Sequence, residues 1–505
     1  MRKLYHWILI VFLLTNSFAS QLCHAQTEMQ KELDHIILLP TAKGSIYDLL
    51  QMITEKSGYH LIYDSNLIDN KQERKIKQRQ RTIAQAIHEI TGKQNLQLSV
   101  KDKYILITSP QTTPHANNHI NGILLDEDSK LPIPQGTIHI QGASWGTVSN
   151  QKGEFHIHIP DTLRNSQLIF SHIGYKQLTM DIKALTDMTP VVHLTPHIIP
   201  MQEVIVRIKD PQKLLNGMMA QQEKNYFSDP ICLTTFYREG IKYKKKLLDM
   251  AEGILNVYKP YIKSIYPKEQ VKLLTNNRIT FRTAKDSLIA KISGGIHSCL
   301  TLDAITHLPS FLQPDEPNNG YIYFFSDITL LNDRSTYVIH FTPKEESIHD
   351  FYEGEIYLDA ETLALVQVKF NIHPRYIKQN GHKLIKQRSR HIKITPKEAR
   401  YTLSYKRWGN KYYINHVRGD LHFKVKKKKL LTNASDLHIW FEMATCNIDT
   451  ISTKCLETKE RINPHTIFMD IPSNNNSIWN ESNIIPREPD LKKSIETFSK
   501  SKPNR

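Results

Sequence analysis

His156 and His158 stand two apart in the run Glu154-Phe155-His156-Ile157-His158. On a strand, residues two apart share a face, so this pair could ligate a metal. The alternation with Phe155 and Ile157 explains them more cheaply, as the polar half of a half-buried strand, and no metal site is assigned. Cys299, with His297 two residues before it, offers a thiol and an imidazole. Nothing in the sequence sets a base and an orienting acid beside that sulfur. Arg238 and Glu239 in "FYREG" and Glu252 in "AEGIL" are charges inside alternating runs. They could pair across a sheet inside a cavity, but the expectation is that they lie on its wet face. There is no H-E-x-x-H pair and no phosphate-cradling glycine loop, and no serine nucleophile elbow is expected. No catalytic, cofactor-binding or metal-binding residue is therefore assigned. The chain is expected not to be an enzyme, with an envelope hydrolase of unrecognised site as an alternative.

Two other residue sets have chemical meaning. Beyond the first 25 residues the cysteines are Cys232, Cys299, Cys446 and Cys455. None forms a C-x-x-C or has a zinc-type histidine spacing. Cys446 and Cys455 are close enough to join two strands across a turn, which makes them a candidate disulfide whose geometry spacing alone does not give. Lys424, Lys426, Lys427, Lys428 and Lys429 follow an alternating run and precede Leu430-Leu431, which suits a hairpin end. Such lysines could touch anionic lipid heads, at roughly 1 kcal/mol each near a charged surface, or could simply be solvated. Lysines at an edge also discourage strand-to-strand aggregation.

The elements that must position these residues begin after a leader. Arg2 and Lys3 precede the apolar stretch Trp7–Leu14, and Cys23-His24-Ala25 offers small residues for a cut before Gln26. That order is the one of a secretory signal peptide over 1–25. A lipoprotein leader fits less well, since Leu22 precedes Cys23 where a small residue belongs. No later stretch approaches the roughly 20 apolar residues of a membrane helix. A chain of 505 residues suggests three or so domains, and 40% hydrophobic with 23% charged residues describes folded material. The net charge of +16 favours acidic partners such as anionic lipid. Export argues against nucleic acid.

Residues 33–109 read as a small α/β unit. Apolar residues of Ile46–Ile53 and Ile83–Ile90 recur at helical spacing, each run between a Ser or Thr cap and a closing glycine (Gly58, Gly92). The segments "SGYHLIYDS" and "RTIAQAIHEITGKQNLQLSVKDKYILI" resemble the secretin and TonB short N-terminal (STN) domain. That resemblance implies a periplasmic interaction module that meets a TonB-system or anti-sigma type partner. Residues 110–117 suit a linker. Residues 118–206 switch to short alternating strands with turn residues between them. "NGILLDEDSKLPIPQGTIHIQGASWGTVSNQKGEFHIHIP" and "LIFSHIGYKQ" resemble the carboxypeptidase-regulatory-like domain, departing from its pattern at Pro134 and Gln135. The resemblance implies a transthyretin-type β-sandwich without catalytic residues.

Residues 207–480 alternate as many long strands, with helical pieces near Pro211–Tyr226 and Leu302–Leu312. In outer-membrane transporters these two modules precede a barrel of about 22 strands, which this very basic segment does not suit. Its "YVIHFTPKEE" and "FYEGEIYLDAETLALVQVKFNI" weakly resemble LolA-like envelope carriers, implying a half-barrel that binds acyl chains or a peptide. Residues 481–505 read as an extended tail. The expected whole is a multidomain, mainly β protein: an α/β unit, a sandwich and a large antiparallel, half-barrel-like sheet. It would sit in the periplasm against the outer membrane and bind envelope proteins and a lipid or peptide. A TonB-related signalling component is a further alternative.

Overall fold

The computed structural model describes residues 32–63, 68, 70, 72–93, 96–101, 103–108, 119–185, 189–197, 210–261, 268–281, 295–347, 351–380, 392–427, 433–451, 453–474 and 477–501. The chain forms two compact units, Met1–His115 and Ala116–Arg505.

In the first unit, capped helices and short strands enclose one apolar core. Helix α1 (Ile46–Ser57) starts at Ser45, whose side chain accepts from Asp48 N while the Asp48 side chain accepts from Ser45 N. Helix α2 (Ile83–Thr91) repeats this reciprocal cap with Thr82 and Gln85. Gly58 and Gly92 end the helices at φ 73° and 67°, a left-handed conformation that costs glycine little. The strands are β1 (Ile36–Leu39), β2 (Ala42–Ser45), β3 (His60–Tyr63), β4 (Glu73–Ile76), β5 (Arg79–Thr82), β6 (Gln97–Lys101) and β7 (Tyr104–Thr108), paired as β1-β5, β2-β4 and β3-β7-β6. Leu49, Ile53, Ile83, Ile87 and Ile90 fill the core.

The second unit opens with a sandwich. One sheet has the order β10 (Gly146–Val148), β9 (Thr137–Ile140), β12 (Gln167–Ser171), β13 (Leu178–Asp181). The other has β11 (Glu154–His158), β8 (His119–Asp126), β14 (Val191–Leu194), with β14 parallel to β8. Ile120, Leu124, Ile138, Phe155, Ile157 and Phe170 alternate inward between the two sheets.

After helix α3 (Pro211–Ala220) comes the largest element, one open antiparallel sheet of ten strands. They are β15 (Ile231–Tyr243), β16 (Lys246–Lys259), β17 (Gln270–Thr280), β18 (Tyr321–Leu331), β19 (Arg334–Pro343), β20 (Tyr352–Asp359), β21 (Leu365–Ile372), β22 (Ile392–Trp408), β23 (Lys411–Lys427) and β24 (Ser435–Asp449). Their order is β17-β16-β15-β24-β23-β22-β21-β20-β19-β18. Its inner face carries the main core. Helix α4 (Gly295–Thr301), Phe311 and Phe468 lie against that face, and Phe311 stacks on Phe341 at 4.5 Å. Aromatic side chains thus fill much of the hollow such a sheet would otherwise leave.

The outer face receives the sandwich and the C-terminal segment. Ser144 Oγ donates to Asn447 Oδ1 at 2.5 Å, Asn415 Nδ2 to Thr137 Oγ1 at 3.2 Å, and Gly174 N to Leu330 O at 2.8 Å. The tail departs from the extended reading: Pro489–Ser501 is helix α5, and residues 482–488 form a strap between sandwich and sheet. Asn483 and Ile485 in the strap are 0% and 1% exposed. Asn483 accepts from His158 N and donates to Gly146 O, so its polar composition pairs backbone groups here instead of solvating a free end. Among the described residues no helix is long and apolar enough to cross a membrane.

Candidate functional site

Where β15 begins, β16 ends and β22 turns into β23, the inner face opens into a cavity of about 520 Å³. Antiparallel register brings distant residues there. Lys259 stands opposite Ile231, and Tyr405 opposite Ile414. Tyr226, Tyr405, Tyr412, Tyr413, Ile305 and Ile414 wall the cavity. The Tyr226 ring lies 5.8 Å from that of Tyr405 and 6.2 Å from that of Tyr412.

A buried ion cluster forms the polar side. Lys259 Nζ lies 2.6 Å from Glu269 Oε1 and 2.5 Å from Asp303 Oδ2. Asp303 also accepts from Tyr405 OH at 2.7 Å and from Thr306 Oγ1 at 2.9 Å. His307 Nε2 lies 3.2 Å from Glu269 Oε2. The side chains of Lys259, Glu269 and Asp303 are 12%, 10% and 5% exposed. Burial pushes both carboxyls up, but Lys259 and their hydrogen bonds outweigh it, and both titrate below the ordinary carboxylate range. Lys259, by contrast, is raised: burial disfavours its charge, and Asp303 and Glu269 together overcome that. One cation thus balances two carboxylates beside a histidine. Asp303 also accepts from Ile305 N, so both its oxygens are filled, whereas each oxygen of Glu269 has a single contact, and the acceptor capacity left toward the cavity is that of Glu269. The rings of His297 and His465 lie 3.9 Å apart and tilted on the cavity wall. No described group of three His, Cys, Asp or Glu side chains is gathered as a metal ion requires.

Of these cavity residues the sequence marks His297, and that as a neighbour of Cys299 instead of as part of a cavity. They come from five separate stretches, and only the fold brings them together. A lysine ending a strand carries no local mark of a partner 44 residues on.

Of the charges in "FYREG" and "AEGIL", Arg238 and Glu252 lie on the other face. Arg238, Glu239 and Glu252 are 1%, 1% and 5% exposed, which corrects the wet-face reading. In register, Glu252, Arg238, Glu442 and Arg418 form a row of alternating charge across β16, β15, β24 and β23. Arg238 Nε donates to Glu252 Oε1 at 2.8 Å and Nη1 to Glu442 Oε1 at 3.2 Å, while Arg418 Nη1 reaches Glu442 Oε2 at 3.0 Å. The strap covers the row: Arg238 donates to the Ile485 and Pro486 carbonyls, and Arg487 pairs with Glu252. A face that alternation marks as polar is buried because chain some 250 residues away closes over it. Glu239 points to the inner face, where it accepts from Tyr237 OH at 2.6 Å and Met469 N at 3.1 Å.

The remaining sequence candidates fall elsewhere. His156 and His158 share their face with His119 of β8, whose ring lies 4.9 and 4.8 Å from theirs. All three are held below the ordinary histidine range, chiefly by burial. Cys299 is 0% exposed, and burial pushes its thiol well up. The candidate Cys446–Cys455 bridge is not formed, since both thiols are free. Cys446 is buried inside β24, with Sγ 3.2 Å from Asn483 O. Cys455 is exposed beyond the strand's end, where the next residue's N–H bonds Gln270. The strand runs three residues past Cys446, so no tight turn brings the two together. One G-x-S-x-G string, Gly142–Gly146, does occur. It links β9 to β10 instead of a strand to a helix, and Ser144 bonds Asn447, so it is no nucleophile elbow. Lys424 and Lys426 lie at the far end of β23, with Lys424 Nζ 2.6 Å from Asp436 Oδ1. Lys427 ends that strand, and Lys428 and Lys429 lie outside the described residues.

Residues 120–206 match the model of the CarboxypepD_reg-like domain family. The sandwich is the part of the chain that matches it. No curated protein matches the sequence. Among solved structures, a putative outer membrane lipoprotein-sorting protein domain from Vibrio parahaemolyticus is 11% identical. It covers 50% of this chain and 96% of its own, at a TM-score of 0.22. A LolA superfamily protein from Nitrosomonas europaea is 9% identical, covering 50% and 98% at a TM-score of 0.17. A DUF1329 family protein from Desulfovibrio piger is 12% identical, covering 47% and 94% at 0.20. These likenesses are slight.

Proposed function

We propose that this chain is a non-catalytic binding protein of the cell envelope, exported by its leader, and that its ten-stranded domain holds an amphiphilic ligand. The observation that carries the reading is the cavity of about 520 Å³, with tyrosine and isoleucine walls and the Lys259–Glu269–Asp303 cluster on one side. Ligand pockets commonly measure about 300–1,000 Å³ and combine apolar walls with a few placed polar groups. An apolar portion, an acyl chain or a hydrophobic peptide side chain, would lie on the aromatic wall. Its polar end would donate to Glu269.

The other two segments fit such a role as contact modules. Ile36 and Leu38 on β1 stand 61% and 50% exposed and offer the first unit an apolar strip for an envelope partner of TonB-system or anti-sigma type. Lysines gather at the end of the sheet remote from the cavity. Lys244 and Lys245 turn β15 into β16, Lys244 N donates to Asp436 O, and Lys393 stands opposite Lys426. That end suits peripheral contact with the anionic outer membrane.

The test is to purify the intact chain from envelopes and analyse retained lipids and peptides by native mass spectrometry. A cavity-filling variant, Ile305→Trp, is purified alongside. Retention of a defined amphiphile by the wild type and its loss from a folded Ile305→Trp is expected. Equal retention by both proteins, or none by either, would overturn the reading.

A further inference from the structure

The exposed thiol of Cys455 lies beside a row of side chains that strand register defines. Gln270 of β17 stands opposite Tyr258 of β16. Tyr258 stands opposite Cys232 of β15, whose other neighbour is Asp449 at the end of β24. Directly opposed residues of antiparallel strands point to one face, with Cβ atoms about 4.5–5.5 Å apart. The chain leaves β24 at Asp449, beside Cys232. By Leu456 it has reached β17, where Leu456 N donates to Gln270 Oε1 at 2.9 Å. It has thus passed from the Cys232 end of the row to the Gln270 end, and Cys455 adjoins that anchor.

Tyr258 stands between the two cysteines. Its hydroxyl hydrogen-bonds the Cys455 thiol, and that bond is the first cause pushing the phenol up to about 12, followed by burial and then by the nearby charges of Cys455 and Cys232. Burial pushes the Cys232 thiol up, with Asp449 and Cys455 adding to it. Cys232 is held inside β15 at 8% exposure. Cys455 is exposed and lies in a stretch, 453–457, without helix or strand, so it is the partner able to move. Further along the same segment Ile462 pairs with Val271, and Pro464 and His465 line the cavity.

We propose that Cys232 and Cys455 are a disulfide-forming pair, closed by a disulfide-bearing oxidant, and that the bridge fastens to the sheet the segment that goes on to wall the cavity. The free thiols of this structure are its reduced form. Closure in the cell rests on the export proposed above, since exported compartments are oxidising. The Cys455 thiolate attacks the oxidant's disulfide, forming a mixed disulfide and releasing one thiol. The Cys232 thiolate then attacks Cys455 Sγ, which forms the Cys232–Cys455 bond and releases the second thiol. The chain gives up two electrons and two protons, and the oxidant is reduced to two thiols.

The intact chain, reduced and then exposed to oxidised glutathione, is alkylated under denaturing conditions and digested with trypsin without reductant. Cleavage after Lys454 separates Cys455 from Cys446. Mass spectrometry should then find Asn225–Arg238 joined to Cys455–Lys459. Dithiothreitol should lower the melting temperature of the bridged wild type by roughly 3–8 °C and leave Cys455→Ser, a change at an exposed position, unmoved. Recovery of Cys232 and Cys455 both alkylated overturns the pairing. So does Cys455 joined to glutathione or to another cysteine of the chain. A bridged chain that melts alike with and without dithiothreitol overturns the fastening. The same digest of protein taken from envelopes reads export separately. A bridge formed in glutathione yet absent there supports the pairing and overturns the export. Neither result touches the amphiphile reading, whose test is retention in the cavity.

Discussion

Two buried ion networks lie on opposite faces of one sheet, and they differ in what closes them. On the outer face, Glu252, Arg238, Glu442 and Arg418 alternate across four strands, and the strap adds Arg487 and two carbonyls. On the inner face, Lys259 serves both Glu269 and Asp303, and one side of the cluster faces a cavity. The covered network has its hydrogen bonds met by its own chain, so it acts as a fastening between the C-terminal segment and the sheet. The uncovered one leaves acceptor capacity at Glu269 on the cavity side, which is what a ligand site requires. Chemically similar groups thus take different roles according to whether a later stretch of chain covers them.

The comparison breaks most sharply at Arg238. Arg238→Met leaves Glu252 and Glu442 buried on the two strands that flank β15 with their shared cation removed, and should cost roughly 3–5 kcal/mol. Lys259→Met leaves Glu269 and Asp303 beside a cavity that water can enter, and should cost roughly 1–3 kcal/mol. Urea unfolding of both variants measures the difference. Equal losses would mean that the cavity cluster is as closed as the row.

Much of the fold was legible because its signals are local. Ser45, Thr82, Gly58 and Gly92 mark both helices of the first unit, and each takes the conformation its type favours. Alternation marks the long strands, and turn residues mark the sandwich, where the family match covers 120–206. What alternation cannot say is which polar face is wet. Arg238 reads the same whether water or Ile485 lies over it. The cavity escaped for a related reason: Tyr226, Lys259, Asp303 and Tyr405 meet only through strand order, and their types are ordinary for strand ends. The tail escaped because asparagine and serine look like solvent-facing chain, whereas here Asn483 answers buried backbone groups of β10 and β11.

Glu239 sharpens the comparison, since it neighbours Arg238 in β15 yet has neither a cation nor an open side. It sits beneath Phe468 and Met469 with Tyr237 OH and Met469 N as donors. Burial raises it from 4.5 to about 7, with nearby Asp249 and Asp470 adding to the rise against those two hydrogen bonds. The folded state therefore keeps a proton that the unfolded state has lost between these values. Its contribution to stability falls as pH rises through that window. His156, lowered to about 4 by burial and then by His119 and His158, works the other way and favours folding as pH rises from 4 to 6.5. The difference between wild type and Glu239→Gln isolates the glutamate. The variant should gain relative melting temperature steadily from pH 5 to 7.5, and parallel profiles would show that Glu239 is already ionised.

The smallest effect on folding should come from the lysine end, where charges are neither covered nor gathered round a cavity. Lys424 Nζ meets Asp436 at 2.6 Å, but the two side chains are 39% and 69% exposed, and water and salt screen such a pair. Asp436 is held below its ordinary range first by that hydrogen bond, with the charges of Lys424, Lys245 and His422 adding to it against the opposing effect of burial. Replacing Lys424 and Lys426 together by glutamine should leave the melting temperature unchanged. Co-sedimentation with vesicles of phosphatidylethanolamine and phosphatidylglycerol should weaken, and added salt should erase the gap between variant and wild type. Vesicles of phosphatidylcholine alone should bind neither. A variant that sediments as well as the wild type at low salt would place the lysines with the solvated surface, and the sheet would then have one functional end instead of two.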